Sequence, residues 1–392
     1  MRQALTLLIA LGAVLALSLT ACKKEENSAG TSGVTDDTVK IGLFVSTTGA
    51  YATFGTDTKN GVDLAVEEIN ATGGIKGKKI DLKFQDTASK PEEGGSAAEK
   101  LATQENVLVA MGAVASGISL SAAPVFQRSG IPMVSPSSTN PTVTQQGDQI
   151  FRICFLDDFQ GASCAVFARK DLKKEKAAIL MNQDDAYSTG LAKFFKAKFE
   201  ALGGTIVKEE SFKKDTSEFN TQITNIKNAA PDIIFVPAYY NDVALIGKQF
   251  RSQGVDVPLL GGDGWESGKL IPNAGPGTLD GCYFGNHYSQ ADDREVVKNF
   301  VANYKKKYGE APSSLAALGY DDVYVVKKAI ENAGAFDRAK IREALAGLKD
   351  FEGVTGKFSI DENRNARKPI SMLKIEGEKF NLVRQIQPEE VE

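Results

Sequence analysis

The sequence predicts an α/β protein of two lobes, each a parallel sheet flanked by helices. Three observations carry that prediction. Short apolar runs alternate with amphipathic segments from Thr38 onward, the rhythm restarts after residue 155, and glycines or hydroxyl residues stand where the runs end. Repeated βα units imply parallel sheets with right-handed crossovers, and a restart implies a second sheet. At 392 residues the chain is long enough for two domains with a substantial core in each.

The elements follow in order. VKIGLFV (39–45) is a buried strand by its near-continuous apolar character. A helix comes next, with Val62, Ala65, Val66 and Ile69 on one face and Gly73-Gly74 at its end. KIDLKFQD, VLVAMGA and IPMVSPSS read as strands, with PEEGGSAAEKLATQ and LSAAPVFQRSG as the helices between them. In the second half AAILMNQ, TIVKEESF, DIIFVPAYY and VPLLGGD are strands. Their helices are marked by Leu191/Phe195/Phe199/Leu202, Phe219/Ile223/Ile226 and Val243/Ile246/Phe250. Beyond residue 290 three helical faces appear, at Val297/Phe300/Val301/Tyr304, Val323/Val326/Ile330 and Ile341/Leu345/Leu348, followed by the short strands GKFSID and ISMLKI.

Ahead of the folded part, the uncharged apolar stretch from Ala4 to Ala21 ends in Leu19-Thr20-Ala21-Cys22 and meets Lys23-Lys24. This reads as an export signal over residues 1–21 with a small-residue cleavage site. LTAC also resembles the bacterial lipobox, so Cys22 is expected to carry lipid and to anchor the chain at a membrane surface. An uncleaved membrane helix is the competing reading, since the stretch is just long enough to span. Residues 22–37 have almost no apolar content and read as the lipidated end and a flexible linker. Cys154, Cys164 and Cys282 remain, an odd number that allows at most one internal bridge; their plain reading is as small buried hydrophobes.

Composition excludes several classes. The net charge is -4 with Lys and Glu scattered, so the basic stripe that a nucleic acid requires is missing. One histidine, His287, rules out a His-rich metal site, and no cysteine spacing suggests zinc; no metal and no cofactor are expected. There is no G-x-S-x-G elbow, no G-x-G-x-x-G after the first strand, and GGIKGKK has Lys79 where a phosphate loop needs Ser or Thr. Enzyme readings fare worse for want of these motifs, and no enzyme activity is expected.

Open parallel sheets bind ligands at the carboxyl ends of their strands. In the first half those ends are hydroxyls and glycines: STTG (46–49), GAVASG (112–117) and SPSST (135–139). In the second half they are acids and aromatics: NQDDAY (182–187), PAYY (237–240) and GGDGW (261–265). Hydroxyls and free helix N-termini suit a carboxylate, although each of Ser116 and Thr139 taken alone could merely cap its own helix. Asp263, between glycines, could stand clear of the strand and pair with an ammonium, with Tyr187, Tyr239 and Trp265 as an apolar wall, or it could simply form a turn. Tyr51 and Phe54 lie in a loop, where core packing is the alternative to ligand contact.

LAVEEINATGGIKGKKIDLKFQD, GIPMVSPSST, DDAYSTGLA and GGDGWES, in this order, resemble the periplasmic substrate-binding proteins of branched-chain amino acid ABC transporters, over about Val39 to Val383. The resemblance implies the type I fold: two Rossmann-like lobes joined by a three-stranded hinge. It divides the chain into an N-terminal lobe of 38–155 plus 287–360 and a C-terminal lobe of 156–286 plus 361–392. It implies that Ser116, Thr139 and the backbone at Ser137 hold a ligand α-carboxylate and that Asp263 holds the α-ammonium beside Tyr239. Phe54 and Tyr187 would line the side-chain pocket, with Tyr51, Gly117, Ser138 and Trp265 as neighbours. Asp263 is shorter than the glutamate of the best-known members, Phe54 stands for Tyr or Trp, and Ser137 for Ala. The expected protein is a monomeric lipoprotein in the periplasm or on the outer face of the cytoplasmic membrane. It would deliver a neutral, branched-chain aliphatic amino acid to permease subunits, or on the same fold an amide, urea or small carboxylate.

Overall fold

The computed structural model describes residues 33–290 and 292–391. The expected export signal, the Cys22 anchor and most of the linker lie outside the described residues.

Five strands form one sheet: β1 (Thr38–Val45), β2 (Lys79–Asp86), β3 (Val109–Gly112), β4 (Met133–Ser135) and β5 (Ile150–Arg152). All pair in parallel, in the order β2-β1-β3-β4-β5. Helices α1 (Ala52–Ala71), α2 (Pro91–Glu99) and α3 (Ser116–Arg128) make the crossovers. The middle strands are buried almost end to end, as parallel strands covered on both faces must be, whereas the edge strand β2 is half-buried.

After α4 (Asp157–Val166) the chain builds β6 (Lys176–Asn182), α5 (Ala186–Ala201), β7 (Thr205–Phe212), α6 (Asn220–Asn228), β8 (Ile233–Phe235) and α7 (Tyr240–Ser252). β9 (Leu259–Gly261), α8 (Leu270–Ala274) and β10 (Tyr283–Asn286) follow. The chain then returns to the first sheet with α9 (Glu295–Tyr308), α10 (Ser314–Ala333) and α11 (Arg338–Ala346), and makes the small hairpin β11 (Phe351–Gly353) and β12 (Gly356–Phe358). It passes back once more to add β13 (Ile370–Glu376) and β14 (Lys379–Ile386), giving a second sheet of order β14-β13-β10-β9-β8-β6-β7. Five of its strands, β10, β9, β8, β6 and the edge strand β7, are parallel; β13 and β14 are antiparallel additions.

α10 lies along α1 so closely that two glycines are required. A Cβ on Gly61 would stand 1.9 Å from the Ala316 carbonyl oxygen, and one on Gly319 would stand 2.4 Å from that of Thr58. β5, α4, α8, β10, β11 and β14 are additions to the elements expected from sequence. α4 escaped because its buried residues include Asp157, Gln160, Gly161 and Ser163, so it carries no apolar stripe. The three remaining cysteines are free and buried.

Candidate functional site

The carboxyl ends of the two sheets face each other across a small cavity. From the first sheet come Ser116, which opens α3 after β3, and Ser137 and Thr139, which follow β4. Phe54 and Val114 join them, with Leu315 from the start of α10. From the second come Tyr187 at the start of α5, Tyr239 just before α7, and Asp263 with Gly264 after β9. Thus all seven residues expected to touch ligand line one space, which is small beside typical ligand pockets. A larger hollow near Phe155, Arg367 and Lys368 shares no residue with it.

At the hydroxyl end, α3 begins without a side-chain cap, so its first amides lack an intrahelical partner. The Ser116 hydroxyl accepts from the Asn140 amide at 3.3 Å, and the buried Ser137 hydroxyl has no hydrogen-bond partner. Behind this loop lies Arg152, fully buried, a residue that sequence reading missed. Its guanidinium donates to the Ser138 carbonyl and, at 2.8 Å, to the Asn140 carbonyl, while Nε reaches Asn365 Oδ1 at 2.7 Å. In a trans peptide N–H points opposite C=O, so tying the Ser138 carbonyl to Arg152 turns the Thr139 amide the other way. The result is a set of neutral donors backed by a buried positive charge, suited to an anion.

At the acid end, Asp263 is 9% exposed. Gln160 Nε2 donates to its Oδ1 at 3.0 Å, Gln160 Oε1 accepts from its amide at 2.7 Å, and His287 Nε2 lies 2.8 Å from Oδ2. Neither partner could be found by local pattern. Burial lowers the pKa of His287, against the raising effect of the Asp263 contact, so the imidazole is held toward its neutral form. A buried carboxylate facing neutral donors still needs a cation.

An aromatic wall joins the two ends. Tyr187 and Tyr239 stack at 5.0 Å and 12°, and Phe54 meets Tyr239 edge-on at 5.7 Å. Tyr187 Oη accepts from the Gly264 amide at 3.1 Å. Burial, then the charge of nearby aspartates, pushes both tyrosine hydroxyls well above their usual pKa, so they act as neutral polar groups.

The four expected neighbours stand outside the lining. Ser138 turns its hydroxyl to the Ala113 and Val114 carbonyls, at 3.0 and 2.8 Å. Gly117 faces Pro91. Tyr51 packs behind Tyr239, ring to ring at 4.7 Å. Trp265 is fully buried on the core side of its loop, donating Nε1–H to the Val236 carbonyl at 2.9 Å and lying against Phe284. The glycines of this loop allow close packing. None has a positive φ; instead a Cβ on Gly261 would sit 2.0 Å from Trp265 Nε1, and one on Gly262 would sit 2.4 Å from Gln160 Oε1. They let the loop pack against its supports.

Contacts also cross directly from one sheet's elements to the other's. Asn140 Nδ2 donates to the Ala186 carbonyl at 2.7 Å, Tyr240 Oη to that of Ala50 at 3.1 Å, and Ser267 Oγ to Thr53 Oγ1 at 3.1 Å. Among the described residues no cluster of His, Cys, Asp or Glu could hold a metal ion, and no helix is long and apolar enough to cross a membrane.

A sequence model of the family described as periplasmic binding protein matches residues 38–379. The chain is 31% identical to a Leu/Ile/Val-binding protein homolog of Brucella melitensis, over 84% of this chain and 89% of that one. The leucine-binding protein LivK of Thermotoga maritima superposes with a TM-score of 0.86 at 38% identity, covering 90% and 99% of the two chains. LivJ of Streptococcus pneumoniae, solved with isoleucine, gives 0.84 at 34%, covering 88% and 99%. A solute-binding protein of Rhodopseudomonas palustris holding 3,4-dihydroxybenzoic acid gives 0.81 at 28%, covering 90% and 98%. The chain belongs to the periplasmic binding protein family, and its fold is the type I fold of that family.

Proposed function

We propose that this periplasmic binding protein closes on a neutral aliphatic L-amino acid and hands it to an ABC permease. The ligand α-carboxylate would lie at Ser116, Ser137 and Thr139, and the α-ammonium at Asp263. Phe54, Tyr187 and Tyr239 would enclose the aliphatic part, with Val114 and Leu315. The observation that carries this reading is the buried Asp263 carboxylate, supplied only with neutral donors, across one small cavity from a donor set that suits an anion. Only a ligand with both charges satisfies both ends. The likeness to LivJ, solved with isoleucine, supports the same choice.

The lobes of the proposal are those of the two sheets, 38–155 with 287–360 and 156–286 with 361–392. Because the ends of the ligand touch different lobes, its contacts differ between the open and closed forms, and it shifts the balance toward the closed one. A monomer exported by residues 1–21 and tethered through a lipidated Cys22 completes the reading.

A second reading, a small aromatic acid, is favoured by the aromatic wall and by the Rhodopseudomonas palustris relative. Asp263 separates the two, because a benzoate has no ammonium to give it. Calorimetric titration with the twenty amino acids and with benzoates is the test. Leucine, isoleucine or valine should bind, and Asp263→Asn should weaken that binding by about 2–5 kcal/mol, roughly 30-fold or more. Binding of benzoates alone, or unaltered amino-acid binding by the folded variant, refutes the proposal.

A further inference from the structure

We infer that His287 is a positioning residue that ties ligand capture to a proton: charged, it takes the place of the ligand's ammonium as the cationic partner of Asp263, and neutral, it frees that role. The inference rests on the proposed ammonium site. It starts from geometry. The only histidine in the chain is buried, its Nε2 lies 2.8 Å from Asp263 Oδ2, and its ring stacks on Phe155 at 3.9 Å and 19°. Nδ1 is buried without a partner. In the neutral tautomer Nε2–H donates to the carboxylate and Nδ1 is a bare acceptor. In the cation Nδ1–H becomes an unsatisfied buried donor, a heavier penalty, offset only by the ion pair with Asp263.

Gln160 completes the device. By gripping both the Oδ1 atom and the amide of Asp263, it leaves the carboxylate no freedom to swing away from His287 when a ligand enters. The histidine proton and the ligand ammonium therefore compete for one fixed carboxylate.

The other groups around this pair do not supply the competing charge. Lys368 also acts on His287 and opposes its protonation. Asp157, beside Asp263, is fully buried, and burial pushes its carboxyl pKa well above the usual range. Burial also pushes the thiol of Cys154 up to about 12 and that of Cys164 higher still, so both stay protonated. Glu266 and Asp57, raised to about 7 and about 6 mainly by burial, titrate in the same window. They act with the opposite sign, since protonation favours their buried state. A comparison of wild type with His287→Gln cancels them, because both proteins carry them.

Two measurements test the inference on the tag-free mature chain. The single histidine gives one Cε1–H signal by NMR. Its midpoint should move lower when leucine saturates the protein, and lower again in ligand-free Asp263→Asn. In calorimetry at pH 5 to 8, the ratio of wild-type to His287→Gln affinity for leucine should fall toward acid, approaching about tenfold per pH unit below that midpoint. His287→Gln keeps a donor for Asp263 but cannot titrate. A signal that does not titrate above pH 4.5, a midpoint unmoved by Asp263→Asn, or an equal pH slope in His287→Gln overturns the inference. If leucine fails to bind at pH 7.5, the proposed ligand is wrong, and the Asp263→Asn midpoint alone then decides whether the pair is coupled.

Discussion

Glu266 offers the sharpest test of how the cleft stays shut. It follows Trp265 in the loop after β9, yet its carboxylate reaches the opposite lobe and docks at the start of the 20-residue helix α10. There it accepts from the Ser314 amide at 2.9 Å and from the Ser314 hydroxyl. Charge-assisted bonds of this kind contribute about 1.5–3 kcal/mol, and a helix N-terminus adds up to about 1 kcal/mol for an anion. Burial opposes them. It drives the carboxyl from 4.5 up to about 7, with the bonds from Ser314 pulling back, and a shift of that size corresponds to about 3 kcal/mol at most against the ionised form. The raised value already contains the pull of the Ser314 bonds, so the ionised carboxylate costs closure near neutral pH, whereas the protonated side chain, which keeps the Ser314 bonds, is expected to stabilise closure by about 1–2 kcal/mol. The sign follows from the raised value. The closed form takes up the proton, so the contribution of Glu266 is full at acid pH and declines as pH rises through about 7. At about pH 4.5, Glu266→Ala should lower the closed-to-open ratio about 5- to 30-fold, read as single-molecule energy transfer between labels on the two lobes and as a matching loss of ligand affinity. Glu266→Gln, a permanent stand-in for the protonated side chain, should match wild type only near pH 4.5 and should bind more tightly than wild type from about pH 7 upward. Unchanged closure in Glu266→Ala, or a wild-type pH response in Glu266→Gln, refutes the reasoning.

Two further outcomes test the packing. Gly61→Ala drives a Cβ into the Ala316 carbonyl, so α1 and α10 must separate at about 1–3 kcal/mol or more; calorimetry should show Tm lower by several degrees, and an unchanged Tm would mean the helices are not in such close contact. In a chain starting at residue 23, Cys154, Cys164 and Cys282 are free and buried, so a thiol reagent should label none of them in the native protein and all three after guanidinium unfolding. Prompt labelling of the native state would contradict that burial.

How much of this was legible depends on whether the signal was local. β2 and β7 match the runs KIDLKFQD and TIVKEESF end for end, because each is an uninterrupted strand-like run bounded by turn residues. The seven lining residues were legible because strand ends are marked by glycine and hydroxyl residues, and the topology brings strand ends together. Gln160 and Arg152 were not. Gln160 sits in a helix whose buried face is polar, 103 positions from the carboxylate it holds, and Arg152 ends a three-residue strand that reads as nothing by periodicity. His287 was noticed only as an isolated histidine; its role needs Asp263, 24 positions away, to be seen beside it. Trp265 was read onto the ligand because large aromatics near an acid suggest a wall. The missing Cβ of Gly261 is what lets the indole fold into the core instead.

That misplacement explains why four consecutive residues do so much. In the single 3-10 turn from Asp263 to Trp265, side chains leave in different directions: Asp263 toward the cavity, Trp265 into its own lobe's core, and Glu266, immediately after, toward the opposite lobe. The indole, fully buried and hydrogen-bonded to β8's trailing residue Val236, fixes the turn as one body. Asp263 and Glu266 then cannot move independently. On the proposed reading, a ligand that draws Asp263 toward the hydroxyl end of the cleft would also bring Glu266 to the N-terminus of α10, so that charge recognition and closure would reinforce each other. On this argument Trp265→Phe, which keeps most of the packing and loses the Val236 bond, should weaken the coupling before it weakens the fold. Leucine affinity should fall while Tm changes little, and the Glu266→Ala effect should shrink in the double variant. Strict additivity of the two substitutions would show that the turn is not acting as one body.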